Sequence, residues 1–170
     1  AQSPAARVRL VARTIQSFPL LHWLPVSGNL EKAARIRGVK LNDPDQILRL
    51  FQASHLVDRA PHTLSGGERC RASLSQAIVG SPRILLLDEP FAGLDSWVKR
   101  EVADSLFEFA RQSNAAVLFV THDLHDAVEY SNRSAILGGQ SPSTIVAEVD
   151  SADAGAIDRI RGLLAKEHAS

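Results

Sequence analysis

Methionine is absent from the 170 residues, cysteine occurs once, and Phe, Trp and Tyr together make up 5% of the chain. A lone cysteine, Cys70, can form no internal disulfide, so packing must hold the fold, and the composition suits a reducing compartment. Neither sign of charge is in excess, because 19 Lys and Arg balance 19 Asp and Glu. That balance removes the electrostatic reason for bulk attraction to DNA or RNA, and no nucleic-acid partner is expected. No apolar run approaches the roughly 18 residues that a membrane-crossing helix needs, and no basic-then-apolar leader opens the sequence. Any membrane association is therefore expected to be peripheral. The start at Ala1-Gln2-Ser3-Pro4 fits removal of an initiator methionine before alanine, and it fits an internal fragment equally well. Lysine is scarce too: Lys32, Lys40, Lys99 and Lys166 are the four, and none follows a glycine. What is present, 45% hydrophobic and 22% charged residues, is the mixture of a globular domain.

Val8, Leu10 and Ala12 alternate with Arg7, Arg9 and Arg13, which predicts a strand with one solvated face. Residues 18–26 form no regular element, since Pro19 and Pro25 interrupt them. Leu30 to Arg37 is helix-prone, and Asp43-Pro44 supplies a cap and a first-turn proline for a helix carrying Ile47, Leu48, Leu50 and Phe51. Residues 17 to about 63 thus read as a small helical subdomain. Beyond them, Ile84-Leu85-Leu86-Leu87 and Ala116-Val117-Leu118-Phe119-Val120 are fully apolar runs, as expected of parallel strands covered on both faces. Val98, Val102, Leu106 and Phe109 mark an amphipathic helix between them, entered through Asp95-Ser96. A short helix near 124–131 and a strand near 134–137 extend the pattern to β-α-β-α-β, a parallel sheet with right-handed crossovers. Residues 143–149 alternate like an edge strand, and Ile157, Ile160, Leu163 and Leu164 predict a last amphipathic helix.

Three short motifs carry chemistry. In Leu64-Ser65-Gly66-Gly67-Glu68, Ser65 and Glu68 form a capping box that starts a helix through about Val79. Paired glycines admit a ligand close to the backbone, and a helix N-terminus favours an anion; capping alone is the plainer alternative. Next, Asp88 and Glu89 leave the C-terminal end of a buried strand, where open α/β sheets place ligands. One carboxylate there can hold Mg²⁺ through water and its neighbour can activate an attacking water, unless both are solvated acids capping a loop. Third, Thr121-His122-Asp123 follows the second apolar strand, so His122 can sense a transferring phosphoryl group or belong to a helix cap.

Their order is more telling than any one of them: capped Gly-Gly helix, strand-Asp-Glu, Gly93-Leu94-Asp95, then strand-His, all within about 60 residues. In this the chain resembles the nucleotide-binding subunits of ATP-binding-cassette (ABC) transporters over nearly its whole length. The resemblance implies that Ser65, Gly66, Gly67 and Glu68 form the family signature, which contacts the γ-phosphate of ATP held by the other subunit of a head-to-tail dimer. It makes Asp88 the Mg²⁺ carboxylate, Glu89 the general base, His122 the switch histidine and Asp95 part of the loop joining the two sites. Gln16 resembles the glutamine that touches the metal and links nucleotide state to the transmembrane permease subunits. Residues 18–26 are similar to the corresponding segment of nitrate, sulfonate and taurine importers. Cys70 and Gln76 stand where the family often has glutamine and arginine, and Cys70 is read as a small filler. His22, His55, His62, His125 and His168 show no metal-ligand spacing and receive no role, while Trp23 and Trp97 read as packing or interface anchors.

The phosphate-binding pattern G-x-x-x-x-G-K-[ST] needs a lysine directly after a glycine, and this chain has none. The expectation is therefore the C-terminal part of a transporter ATPase. Its fold is α/β, a partial P-loop NTPase with a parallel-sheet core plus a small helical subdomain, the N-terminal strands and phosphate loop missing. Residues 1–16 form the glutamine strand, 17–80 the helical subdomain and signature helix, 81–140 the catalytic core and 141–170 a last strand and helix. The complete protein is expected to hydrolyse ATP on the cytoplasmic face of the membrane, bound to permease subunits, while this chain alone holds ATP weakly. Two other classes remain: a non-catalytic partner that lends its signature to an intact subunit, and an ABC ATPase outside transport.

Overall fold

The computed structural model describes residues 11–13, 20–138 and 143–167. The chain divides into two compact units, Ala1–Val120 and Thr121–Ser170, and the division falls inside the 81–140 stretch that the sequence groups as one core.

In the first unit, three parallel strands lie in the order β1 (Val11–Arg13), β2 (Ile84–Asp88), β3 (Ala116–Val120). Val8 and Leu10 of the expected first strand lie outside the described residues. The β2–β3 ladder runs from Ile84↔Ala116 to Asp88↔Val120, so Ile84, Leu86, Leu118 and Val120 share one face, and Leu85 and Leu87 the other. Leu85, Leu87 and Ala12 are buried, whereas Leu118 is 65% and Val120 54% exposed. This corrects the expectation that both faces are covered. An apolar run expresses a preference for burial, and among the described residues a layer supplies that burial on one face only.

Three helices and two 3-10 turns, Ser54–Leu56 and Pro61–Thr63, build the helical part. Helix α1 (Val26–Arg37) starts four residues before the helix-prone stretch, because Pro25 stands at its N-cap and Asn29, wholly buried, binds the incoming chain. Helix α2 (Pro44–Leu50) is capped by Asp43, whose side chain accepts from Asp45 N at 3.0 Å. Helix α3 (Gly66–Ile78) ends against α1, where Arg37 Nη1 donates to the carbonyls of Gln76 at 3.2 Å, Ala77 at 2.9 Å and Val79. A cation at these terminal carbonyls satisfies orphan acceptors and complements the helix dipole. Val26, Leu30, Leu48, Leu56, Leu64 and Ala72 meet in the core between the helices. The chain returns to the sheet edge through α4 (Ser96–Ser113), which buries Val102, Ala103, Leu106 and Ala110 and ends on Asn114 at φ 53°.

The second unit holds α5 (Leu124–Glu129), β4 (Arg133–Gly138), β5 (Thr144–Asp150) and α6 (Ala156–Glu167). Here the β-α-β-α-β expectation fails at its last strand. β4 pairs antiparallel with β5, from Arg133↔Asp150 to Gly138↔Thr144, in a separate two-stranded sheet. The short link between them suits a hairpin, and a parallel pair would need a crossover of a dozen residues or more. Ile136, Val149, Ala156 and Ile160 form its core. No helix among the described residues is long and apolar enough to cross a membrane.

Candidate functional site

The corner where α3 begins is built by reciprocal hydrogen bonds. Glu68 N donates to Ser65 Oγ at 3.2 Å, and Ser65 N donates to Glu68 Oε2 at 2.7 Å. This capping box uses two of the helix's first N–H groups and leaves the Gly66 and Gly67 amides to other acceptors. Ser65 and Gly66 are exposed. Those two amides, at the positive end of a 13-residue helix, can receive an anion. The Ser65 amide and then its hydroxyl hold the Glu68 carboxyl below the usual carboxylate range.

The second component leaves the end of β2. Asp88, half-buried, is the last ladder residue, opposite Val120. Glu89 then turns into the left-handed region at φ 46°, its N–H donating to Val120 O at 2.9 Å and its carbonyl accepting from Ala92 N at 3.1 Å. A glutamate held in this conformation is strained, and such strain persists where the surroundings over-determine it. No residue type signals it, so the sequence could not reveal it. Gly93 continues the turn at φ 79°, and Asp95 caps α4 by accepting from Trp97 N and Val98 N, both at 3.1 Å. Among the described residues no three His, Cys, Asp or Glu side chains converge as a metal cage. A single carboxylate at a strand end suits a hydrated Mg²⁺ that also takes phosphate oxygens, and does not suit Zn²⁺.

Packing brings these components together. A Cβ on Gly67 would meet Leu94 Cδ2 at 3.2 Å and Gly93 O at 3.6 Å, so only glycine allows this approach without displacement. Cys70 Sγ donates to Pro90 O at 2.9 Å, tying α3 to the residue after Glu89. The filler reading of Cys70 therefore gains a polar contact that the sequence could not supply. Burial pushes its thiol up from 9.0 to about 12. Because the folded value is the higher, its contribution to stability is complete below about 9 and is lost as pH climbs toward 12. At pH 8 the thiol is accordingly protonated and enclosed. Alkylation by iodoacetamide should run at least about 100-fold slower in the native chain than in urea; comparable rates would disprove the enclosure.

The other candidates are placed less fully. His122 lies in the second unit, exposed, just before Asp123, which caps α5 by accepting from His125 N at 2.9 Å and Asp126 N at 3.4 Å. Gln16 lies outside the described residues. Trp23 and Trp97 are 66% and 73% exposed, so neither is an internal packing anchor.

Residues 2–92 match the protein family described as ABC transporter. An aliphatic sulfonates import ATP-binding protein of Xanthomonas axonopodis pv. citri is 38% identical over 149 residues, 82% of this chain and 59% of that protein. A sulfate/thiosulfate import ATP-binding protein of Bradyrhizobium diazoefficiens is 36% identical over 81% of this chain and 42% of its own length. A maltose/maltodextrin import ATP-binding protein of Mannheimia succiniciproducens is 31% identical over 76% of this chain and 36% of its own. The chain thus spans between 36% and 59% of these relatives. Among solved structures, a dimeric bacterial ABC transporter cassette superposes with a TM-score of 0.79 at 21% identity, covering 88% of this chain and 66% of that one. At that identity the likeness establishes the fold, an α/β cassette with a parallel sheet and helices.

Proposed function

The chain belongs to the ABC transporter family, and we propose that it supplies the signature, metal-carboxylate and permease-facing part of an ATP-hydrolysing subunit of a bacterial importer. One observation carries the proposal: the capped Ser65–Glu68 corner lies directly against the Gly93–Leu94 turn, beside a strained Glu89. Helix-terminal amides, a strand-end carboxylate and a held glutamate are the groups phosphoryl transfer needs, since its catalysis is mainly positioning and charge stabilisation.

In this reading the Gly66 and Gly67 amides and the Ser65 hydroxyl face the γ-phosphate held by a second ATPase subunit, arranged head to tail. Asp88, with Gln16, would hold Mg²⁺, and when bound that ion would supply charge neutralisation for the phosphate oxygens. Glu89 accepts the proton of the attacking water. The resemblance gives His122 the role of switch histidine, and Asp95 caps the loop through which one site adjoins the other. Residues 20–26 face the permease, which keeps the subunit on the cytoplasmic side of the membrane. The sulfonate-import relative supports the nitrate, sulfonate and taurine branch.

The chain by itself lacks a Gly-Lys pair, and hence the lysine and backbone cradle that grip the β- and γ-phosphates. A complete subunit is one in which a segment carrying that loop precedes these residues. Titrated with a fluorescent ATP analogue and Mg²⁺, the isolated chain should show no saturation up to about 1 mM, whereas a complete subunit should bind at micromolar levels and hydrolyse ATP. Micromolar binding by the isolated chain would refute the division of labour. A complete subunit that binds without turnover under any permease condition would refute the ATPase reading.

A further inference from the structure

Glu68 closes the capping box with one carboxylate oxygen and turns the other toward a histidine to which the sequence assigns no role. His55, in the 3-10 turn Ser54–Leu56, places Nε2 3.6 Å from Glu68 Oε1. That is ion-pair reach and beyond hydrogen-bonding distance. Oε2 of the same carboxylate accepts the Ser65 N–H at 2.7 Å. One planar group therefore joins an imidazole to the backbone of the serine that opens the helix.

We propose that His55 is a positioning residue for Ser65, acting through Glu68: the protonated imidazole holds the carboxylate, and with it the Ser65 amide, in the capping-box geometry. Its functional meaning rests on the reading of Ser65 as phosphate-facing.

The other charged groups near Glu68 are engaged as follows. Besides Ser65 itself, Arg59 and His55 act on Glu68. Arg59 is anchored on Thr63, with Nε 3.4 Å from Oγ1 and Nη2 3.3 Å from the carbonyl oxygen, and a guanidinium stays charged at every relevant pH. On α3, Arg69 donates to Leu64 O at 2.7 Å and Arg71 to Gln52 O at 3.3 Å. On α2, which packs against the His55 turn, Asp45 is engaged by Arg49 and Ser54. Glu68 remains anionic because Ser65 holds its carboxyl low. An imidazole is the side chain that changes charge between about pH 5 and 8. His55 is 55% exposed and Glu68 22%, so screening limits the coupling to about a twofold effect.

The test begins with the chain itself, followed by ¹⁵N NMR from pH 5 to 8. The Ser65 amide resonance should show a transition in the imidazole range that disappears in His55→Gln, with the unfolding midpoint in urea unchanged. A Ser65 amide that stays still, or one that keeps its transition in His55→Gln, overturns the proposal. In a complete subunit, the wild-type to His55→Gln ratio of kcat should be about two at pH 6 and about one at pH 8, and His55→Lys should hold the higher value at both. A ratio that is flat with pH overturns the positioning role. Complete absence of ATP turnover would count against the ATPase reading instead, and the Ser65 resonance then decides the relay alone.

Discussion

Glu89→Gln in a complete subunit should keep nucleotide binding and lower ATP turnover by about 10²- to 10⁴-fold, the contribution typical of a positioned general base. The two carboxylates at the end of β2 differ in backbone state. Asp88 is still a ladder residue in register with Val120, whereas Glu89 has left the strand at φ 46° with its N–H fixed on Val120 O and its carbonyl on Ala92 N. These two bonds hold a conformation that costs a non-glycine residue about 1–2 kcal/mol. Glutamine has nearly the same shape and should keep the backbone contacts, yet it accepts no proton, so chemistry should fail while binding survives. Turnover near the normal rate would place the base elsewhere. Loss of binding together with turnover would make Glu89 a structural residue. As a control, Glu89→Gly should unfold at equal or higher denaturant concentration, since glycine adopts φ 46° without strain.

Features set by neighbours in sequence were legible in the sequence. The Asp43 and Asp95 caps, the Ser65–Glu68 box and the apolar strand cores each depend on residues within a turn, and each stands where the pattern predicts it. Features set by distant chain were not. Which faces of β2 and β3 are covered depends on what else packs there, and the apolar runs cannot say. The alternation of strands and helices makes β4 read as a parallel strand, but the brevity of its link to β5 decides its pairing. The site divides in the same way. Residue types single out Ser65, Asp88 and Glu89 as candidates, while the left-handed turn at Glu89, the Cys70–Pro90 contact and the Gly67–Leu94 approach are set by the folded backbone and by the meeting of α3 with the β2 loop.

Asn29→Ala should destabilise the first unit by about 3 kcal/mol, with the loss centred on residues 20–25. Asn29 is wholly buried, and its amide is the hub of the chain entering α1. Oδ1 accepts from Leu21 N at 2.6 Å, while Nδ2 donates to Leu21 O and Leu24 O at 3.1 Å and to Pro25 O at 3.0 Å. Proline leaves this segment short of donors, and its turn offers no ladder to pair with, so the side chain supplies what secondary structure would otherwise provide. Each buried polar group deprived of a partner costs about 1–3 kcal/mol, and partial rewetting of an exposed loop brings the sum to about 3. Asn29→Asp should be at least as harmful, because it keeps the acceptor but removes both donors and brings a charge into a dry site. The same loop carries the exposed Trp23, set edge-on to His22 at 4.6 Å, in the segment proposed to face the permease. Urea titration followed by Trp fluorescence and hydrogen exchange should therefore show early opening at residues 20–25 in Asn29→Ala, before α3 loses protection. A loss below about 1 kcal/mol, or opening spread evenly over the unit, would mean that water replaces the amide freely and that Asn29 does not anchor this loop.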